Sequence, residues 1–408
     1  MAVELVIDRL GAQGDGIADM PDGPLFVPFT RPGERVPVEV EPDGKHAKLQ
    51  AILDPSPDRT EPVCPHFGVC GGCMLQHLER EAYLRWKREL VVQALRARGL
   101  ESEVEDALPV PLGSRRRATF ALGRDGQGLA LGYRPARSHD LIDIDVCPIL
   151  SPKIVARLPE LKAALAPLLG GKREVRVAVT ETETGLDIVV DGVRPKEAAL
   201  ARLAGEAGKL GIARIAASGE SIMLSAPAVT FGRAQVKIPP AAFLQASPQG
   251  EAAMTTLVLE GVGKAKRVAD LFAGLGTFSF ALAEGSAVDA YESDEAALGA
   301  LGEAVRHTPK LKPVRTYVRD LFRMPLGFQE LAPYDAVVFD PPRAGAAAQA
   351  EQLAKSKVKR VVAVSCNPGT LARDLRLLVD GGYRITRVIP VAQFLFSSHV
   401  EVVVHLTR

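Results

Sequence analysis

"VADLFAGLGTFSFALA", residues 268–283, decides the fold. A short apolar run stops at Gly274 and Gly276 and gives way to a helical pattern. Strand, glycine turn and helix in that order let a backbone approach a ligand closely at the carboxyl end of a buried strand. Downstream, "AVDAYE", "DAVVFD" and "RVVAVSC" repeat the apolar strand with helical stretches between them. This is the rhythm of a parallel sheet covered on both faces. The last two strands, "RITRVIPV" and "HVEVVVHL", have no helix between them and are expected to form an antiparallel edge. The fold class is α/β, with a Rossmann-like domain over residues 239–408.

The rest of the 408-residue chain divides in two. Residues 1–57 alternate short strands with Gly-Asp-Gly and Pro-Asp-Gly turns, the pattern of a small OB-like β-barrel. After the proline-rich linker "DPSPDRTEP", residues 58–238 mix strands and helices in an α+β unit. Its "EREAYLRWKRELVVQALRARGL" places Leu84, Leu90, Val91 and Leu95 on one side of a helix. Its "REVRVAVTETETGLDIVVDG" reads as a hairpin. A net charge of +1 provides no strong overall field, so a polyanionic partner needs a local basic surface. The opening residues show no basic stretch followed by an apolar run, and no segment reaches membrane-spanning length. The expectation is a cytoplasmic protein with no membrane association and no obligate protein partner.

The glycine loop lacks the third glycine of a pyrophosphate-binding turn. It reads Asp-x-Phe-x-Gly-x-Gly, with Asp270 placed to meet an ammonium group, which points to S-adenosylmethionine. Glu292 ends the next strand, where a carboxylate accepts hydrogen bonds from ribose hydroxyls. Asp320 follows the strand after that, where an adenine contact is expected. Each carboxylate taken alone reads equally well as a helix cap.

Two further strand ends converge on the same crevice. "DPPRAGA" brings Asp340 and Arg343, and "SCNPG" brings Cys366 just before a helix. A thiol facing a helix N-terminus is expected to have a lowered pKa. A thiolate beside a methyl donor has a specific use. Uracil C5 is too weak a nucleophile for direct methylation, but thiolate addition at C6 produces an enolate whose C5 can attack a methyl sulfonium. A base must then take the C5 proton, and Glu401 in "SSHVEVVVHL" is the candidate. Asp340 can hold the ring through N3–H. Arg343 after the two prolines separates this pattern from amino-directed enzymes, in which an aromatic residue follows.

With these motifs the sequence resembles the class I RNA 5-methyluridine methyltransferases, and within them the TRAM-bearing ribosomal RNA uracil-C5 enzymes that carry an iron–sulfur cluster. The resemblance rests on Phe243-Leu244-Gln245, "DLFAGLGTF", "DPPRAGA", "SCNPGTLARD" and "HVE", and it spans nearly the whole chain. It implies Cys366 as nucleophile and Glu401 as base. It also implies that Gln245, Phe272, Thr277, Glu292, Asp320 and Asp340 line the cofactor and uracil pocket. The chain departs from the family pattern at Ser247, Ala273 and Thr277.

Four of the five cysteines remain. Cys64, Cys70 and Cys73 in "CPHFGVCGGC", with Cys147 in "DVCPIL", suit an iron–sulfur cluster or a tetrahedral zinc ion. Spacing leaves both open, and the resemblance favours [4Fe–4S]. His66 and His77 are expected to pack nearby. The barrel resembles a TRAM domain, and the resemblance implies an RNA partner. Arg85, Lys87, Arg88, Arg115, Arg116, Arg117, Arg134 and Arg137 are the expected phosphate contacts. Ribosomal RNA is the favoured substrate. The rival readings are a transfer-RNA T-loop enzyme of identical chemistry, a zinc-stabilised methyltransferase acting on DNA or protein, and an RNA-binding assembly factor without catalysis.

Overall fold

The computed structural model describes residues 2–125, 128–135, 138 and 140–408. The N-terminal segment forms two three-stranded antiparallel sheets, strands 2–6, 35–40 and 47–49 in one and 9–10, 16–20 and 23–27 in the other. They close on a core of Ile7, Val27, Val36 and Val38. "VELVIDRL" thus breaks at Ile7 and Asp8 into strands of different sheets. The central segment is a seven-stranded sheet in which Glu174–Thr182 and Gly185–Asp191 form the expected hairpin. Inside it the guanidinium of Arg214 grips both carboxylate oxygens of Asp187, at 2.8 and 2.7 Å.

Helix α1 (Arg80–Arg96) and the two-residue strand β1 (Leu108–Pro109) follow the cysteine loop but pack on the C-terminal unit. That unit comprises α2 (Pro248–Val262), β2 (Arg267–Leu271), β3 (Ala287–Glu292), α3 (Glu295–His307), β4 (Val314–Val318), β5 (Ala336–Phe339), β6 (Arg360–Ser365), α4 (Pro368–Asp380), β7 (Arg384–Ala392) and β8 (Glu401–Thr407). The sheet runs β4-β3-β2-β5-β6-β8-β7-β1. Its first five strands are parallel, and β8 is antiparallel to both of its neighbours. The chain winds outward from β2 to β4, then returns to place β5 on the other side of β2. At such a reversal the loops part and leave a crevice at the carboxyl ends.

The last two strands pair antiparallel toward one end of the sheet as expected, but the terminal strand is the inner of the two. Strand β8 slots between β6 and β7, and all its residues but the last are buried. Its register sets Ser365 opposite Val402, so the neighbouring residues Cys366 and Glu401 come to the same end of the sheet.

Helix α2 covers one face of these strands at very short range. A Cβ on Gly261 would lie 2.6 Å from Cγ2 of Val362 and 2.7 Å from Cδ2 of His405, and the His405 ring bonds the Leu257 carbonyl at 2.8 Å. Among the described residues, no helix is long and apolar enough to cross a membrane. Overpacking a tight core contact costs about 1–3 kcal/mol. Gly261→Ala is therefore expected to lower unfolding stability by about that amount, read as a lower urea midpoint with an unchanged denaturant slope.

Candidate active site

The ligand-facing end of the sheet is built from local turns. Phe272 leaves β2 at φ 61°, a left-handed conformation that costs a residue with a Cβ, and Gly276 follows at φ 91°. A Cβ on Gly276 would meet Phe280 and Leu301 at 2.8 and 2.9 Å. The loop is therefore pressed against the helices behind it, and its backbone faces the crevice. Asp270 is buried beneath it. Its Oδ2 accepts from the Ser279 hydroxyl at 2.5 Å, and its Oδ1 has no partner. Burial pushes this carboxyl up to about 7, and the charges of Asp340 and Glu292 push in the same direction. An unpartnered buried carboxylate oxygen is matched to a cationic ligand group.

Glu292 is half-buried and is not a helix cap. Asp294 caps α3 by accepting from Ala296 and Ala297, while Glu292 accepts from the Gly274 amide at 2.9 Å and so ties the loop to β3. Asp320 closes a turn and caps no helix: its Oδ1 accepts from the Phe322 and Arg323 amides at 3.0 and 3.2 Å. The ring of Phe322 lies 5.4 Å from that of Phe272, and Thr277 is half-buried in the same loop.

The cysteine turn and the second pair of acids stand one strand further along. Asn367 caps α4, accepting from Gly369 at 3.0 Å and Thr370 at 3.5 Å, and donates to the Arg343 carbonyl at 3.1 Å. It stitches the cysteine motif to the Asp-Pro-Pro-Arg turn. The expected lowering of the Cys366 pKa does not occur. Asn367 occupies the amides that would have favoured a thiolate, and the thiol is pushed up to about 11 by burial, then by Glu401 and Asp340. Only Arg343 among the nearby charges pulls it down.

Glu401 is buried. Its Oε1 accepts from Gln393 at 3.1 Å and its Oε2 has no partner. Gln393 also donates to Oε1 of Gln245 at 2.8 Å, and Gln245 donates to Oδ2 of Asp340 at 3.0 Å. Two glutamines thus bridge the two carboxyl groups. Burial raises both acids above the ordinary carboxylate range, and for Glu401 the charge of Asp340 adds to it. Sequence reasoning missed Gln393, which no local motif marks. In the structure Gly250 packs against it, and a Cβ there would lie 2.7 Å from that of Gln393.

Residues 311–408 match the family model described as tRNA (uracil-5-)-methyltransferase. An uncharacterized RNA methyltransferase of Brucella suis is 50% identical over 407 residues, 99% of this chain and 98% of that one. The 23S rRNA (uracil(1939)-C(5))-methyltransferase RlmD of Salmonella choleraesuis is 32% identical across 100% of this chain and 96% of its own length. The chain belongs to the RNA uracil-C5 methyltransferase family. Its fold is that of the Pyrococcus abyssi tRNA (uracil-54, C5)-methyltransferase solved with S-adenosyl-L-homocysteine, at TM-score 0.76, 24% identity and 99% coverage of both chains. As a member of the family it is an S-adenosylmethionine-dependent RNA methyltransferase of the class I α/β fold. The reading as a non-catalytic assembly factor is set aside.

For an RNA methyltransferase the basic residues are distributed unexpectedly. Lys87 is fully buried and cannot touch a phosphate. Arg116 is buried too, ion-paired with Glu251 and donating to the Gln245 carbonyl at 3.0 Å. Arg117 donates to the Leu244 carbonyl, with its guanidinium carbon 4.9 Å from the centre of the exposed Phe243 ring. The run of arginines braces the Phe-x-Gln segment. Arg88 is spent on the Val104 carbonyl and Arg134 on Glu174, while Arg85 pairs at the surface with Asp58 and Glu81. Arg137 lies outside the described residues.

Cys64, Cys70, Cys73 and Cys147 line one cavity of about 380 Å³, together with Met74, Tyr133 and His399. The Gly72 amide points at Cys70 Sγ, 3.4 Å away, and Gln76 accepts from the Cys64 amide at 3.0 Å. His66 bonds Asp145 and His77 faces the Thr30 carbonyl. Among the described residues, the ligand atoms drawn within 4.8 Å of one another in a group of three are those of Glu41, Asp43 and His46, in an exposed turn. The four thiols share a cavity without closing on a point.

A thiol held near 11 reacts only through its scarce thiolate. Alkylation of the Cys366 peptide by iodoacetamide, followed by mass spectrometry on ligand-free protein, is expected to rise about tenfold per pH unit between pH 7 and 10. A rate that levels off below pH 8 contradicts the assignment.

Proposed function

We propose that this chain methylates C5 of a specific uridine in 23S ribosomal RNA through a covalent adduct on Cys366. The observation that carries this reading is the convergence of Cys366, Asp340 and Glu401, each acting electrostatically on its neighbours, at the strand ends beside the glycine loop. Cys366 gives its proton to solvent water and the thiolate adds at C6, leaving the electron pair as an enolate over C5 and O4, while Asp340 holds the ring through N3–H. S-adenosylmethionine supplies the methyl group taken by C5 and leaves as S-adenosylhomocysteine. Glu401 then accepts the C5 proton, and the C6–S bond breaks to return the thiolate. Burial suits Glu401 to this, because a base works best when its pKa lies close to the working pH.

The unpartnered Asp270 oxygen, the Gly274 loop and Glu292 fit the methyl donor, with Phe272, Thr277, Asp320 and Gln245 around it. Phe243, exposed beside Arg117, is placed to stack on an unpaired base. Reactive C6 is hidden in a stacked helix, so the target must be flipped out or lie in a loop. Residues 1–57 act as an OB-like RNA-holding unit and residues 58–238 carry the metal site. Cys64, Cys70, Cys73 and Cys147 would hold a [4Fe–4S] cluster in a structural role. An all-sulfur donor set suits it, and the thiols do not gather to the roughly 3.8 Å spacing a tetrahedral zinc ion imposes.

A ribosomal target is supported by the 32% identity with the 23S enzyme along nearly the full length of both chains. A transfer-RNA target is the second reading, favoured by the family model over residues 311–408. Mapping 5-methyluridine in ribosomal and transfer RNA from cells lacking the gene separates the two. The expected result is loss of one 23S mark, restored by wild type and not by Cys366→Ala. Loss of a T-loop mark instead establishes the second reading, and rescue by Cys366→Ala overturns the adduct. For the metal, anaerobically purified protein is expected to carry about four iron atoms per chain with visible cluster absorption, both lost in Cys73→Ser.

A further inference from the structure

Lys87 is buried in the middle of α1, with Nζ 5.3 Å from the Tyr83 ring centre and 5.9 Å from that of Trp86. An ammonium taken out of water is costly unless its donors are used. Nζ donates to the Phe394 carbonyl at 3.3 Å and to the His399 carbonyl. Those two oxygens belong to opposite ends of one loop, residues 393–400, which joins β7 to β8. Gln393 stands one residue before the first, and Glu401 two residues after the second.

The same loop is held elsewhere. The Tyr83 hydroxyl donates to the Phe394 carbonyl at 3.0 Å and accepts from the Phe396 amide at 3.1 Å. The Met74 amide donates to the Phe396 carbonyl at 2.9 Å. Phe396 itself sits at φ 54°, a conformation that persists only where its surroundings enforce it. A strained loop flanked by two site residues is thus clamped by a helix outside the catalytic unit.

We propose that Lys87 is a positioning residue for proton abstraction from C5: by bonding both ends of the 393–400 loop it holds Gln393 and Glu401 where the base must stand, and its charge faces that of Glu401. The inference rests on the assignment of Glu401 as the base. The groups facing Glu401 are Asp340 from the end of β5, Cys366 from the end of β6, Gln393, and Lys87 from α1. Lys87 in turn faces Glu401 and His399, and His399 also faces Arg343 and Arg115. Burial lowers the Lys87 ammonium to about 7 against the pull of Glu401, and in its charged form Lys87 is the cation among the groups acting on Glu401. Its removal favours the protonated acid and moves the acid limb of kcat to higher pH.

The test uses full-length, metal-loaded enzyme and RNA carrying 5-tritiated uridine, following methyl incorporation, tritium release and covalent protein–RNA complex on denaturing gels. Glu401→Gln is expected to trap a methylated complex that keeps its tritium. Lys87→Met is expected to release tritium about 10–100-fold more slowly than wild type, to accumulate the same complex, and to shift the acid limb upward. Its KM for RNA is expected to stay within about threefold, and Lys87→Arg to restore part of the rate. Wild-type tritium release by Lys87→Met overturns the proposal, as does a loss confined to KM with the acid limb unmoved. Lys87→Gln carries the same test if the methionine variant does not fold. Normal tritium release by Glu401→Gln overturns the base assignment itself, whatever Lys87→Met does.

Discussion

Two carboxyl groups set within each other's field, Glu401 buried and Asp340 half-buried, constrain everything else at this site. Asp340 and Glu401 cannot both ionise freely in a low-dielectric crevice. Two glutamine side chains stand between them, and the direction of every bond follows. Carboxylates accept, so each glutamine turns its amide nitrogen toward an acid. Gln393 is thereby left with an oxygen that has no partner, and so is Glu401. Buried acceptors left unspent are costly for the free protein and useful to a ligand that brings N–H groups.

The bridge is held from outside the sheet. Gln245 comes from the segment preceding α2, and that segment is fixed by arginines on a strand of the central unit. The Arg116 amide bonds the Ala246 carbonyl at 2.9 Å, its side chain takes the Gln245 carbonyl, and its charge is neutralised by buried Glu251. Ser247 caps α2 by accepting from Gly250 at 2.9 Å. Ser247, one of the departures from the family pattern, therefore keeps a capping side chain. What looks like a separate domain is a brace, and the site depends on the fit between units.

The parts of this arrangement that were legible in the sequence are the local ones. Strands buried on both faces read as unbroken apolar runs, so β2, β3, β5 and β6 were recognisable, as were the glycine loop and the cysteine turn at their ends. The order of the strands was not, because the place of "HVEVVVHL" between β6 and β7 depends on pairing with residues some forty positions away, and an apolar strand reads alike at an edge or inside. Lys87 and Arg116 were misread for a related reason. A cationic side chain in isolation suggests solvent or phosphate, whereas here each meets carbonyl oxygens supplied by distant chain. The thiol of Cys366 was misjudged because Asn367, its immediate neighbour, already consumes the helix amides, and because the acids that oppose ionisation arrive from two other strands.

The slot that receives β8 has a consequence for assembly. Until that strand arrives, β6 and β7 each present an unpaired border of hydrogen-bonding groups, and the Cys366 turn lacks Glu401 beside it. Closing the gap joins segments far apart in sequence, a slow kind of step in folding. The chain therefore brings Glu401 beside Cys366 in the same event that seals its eight-stranded sheet.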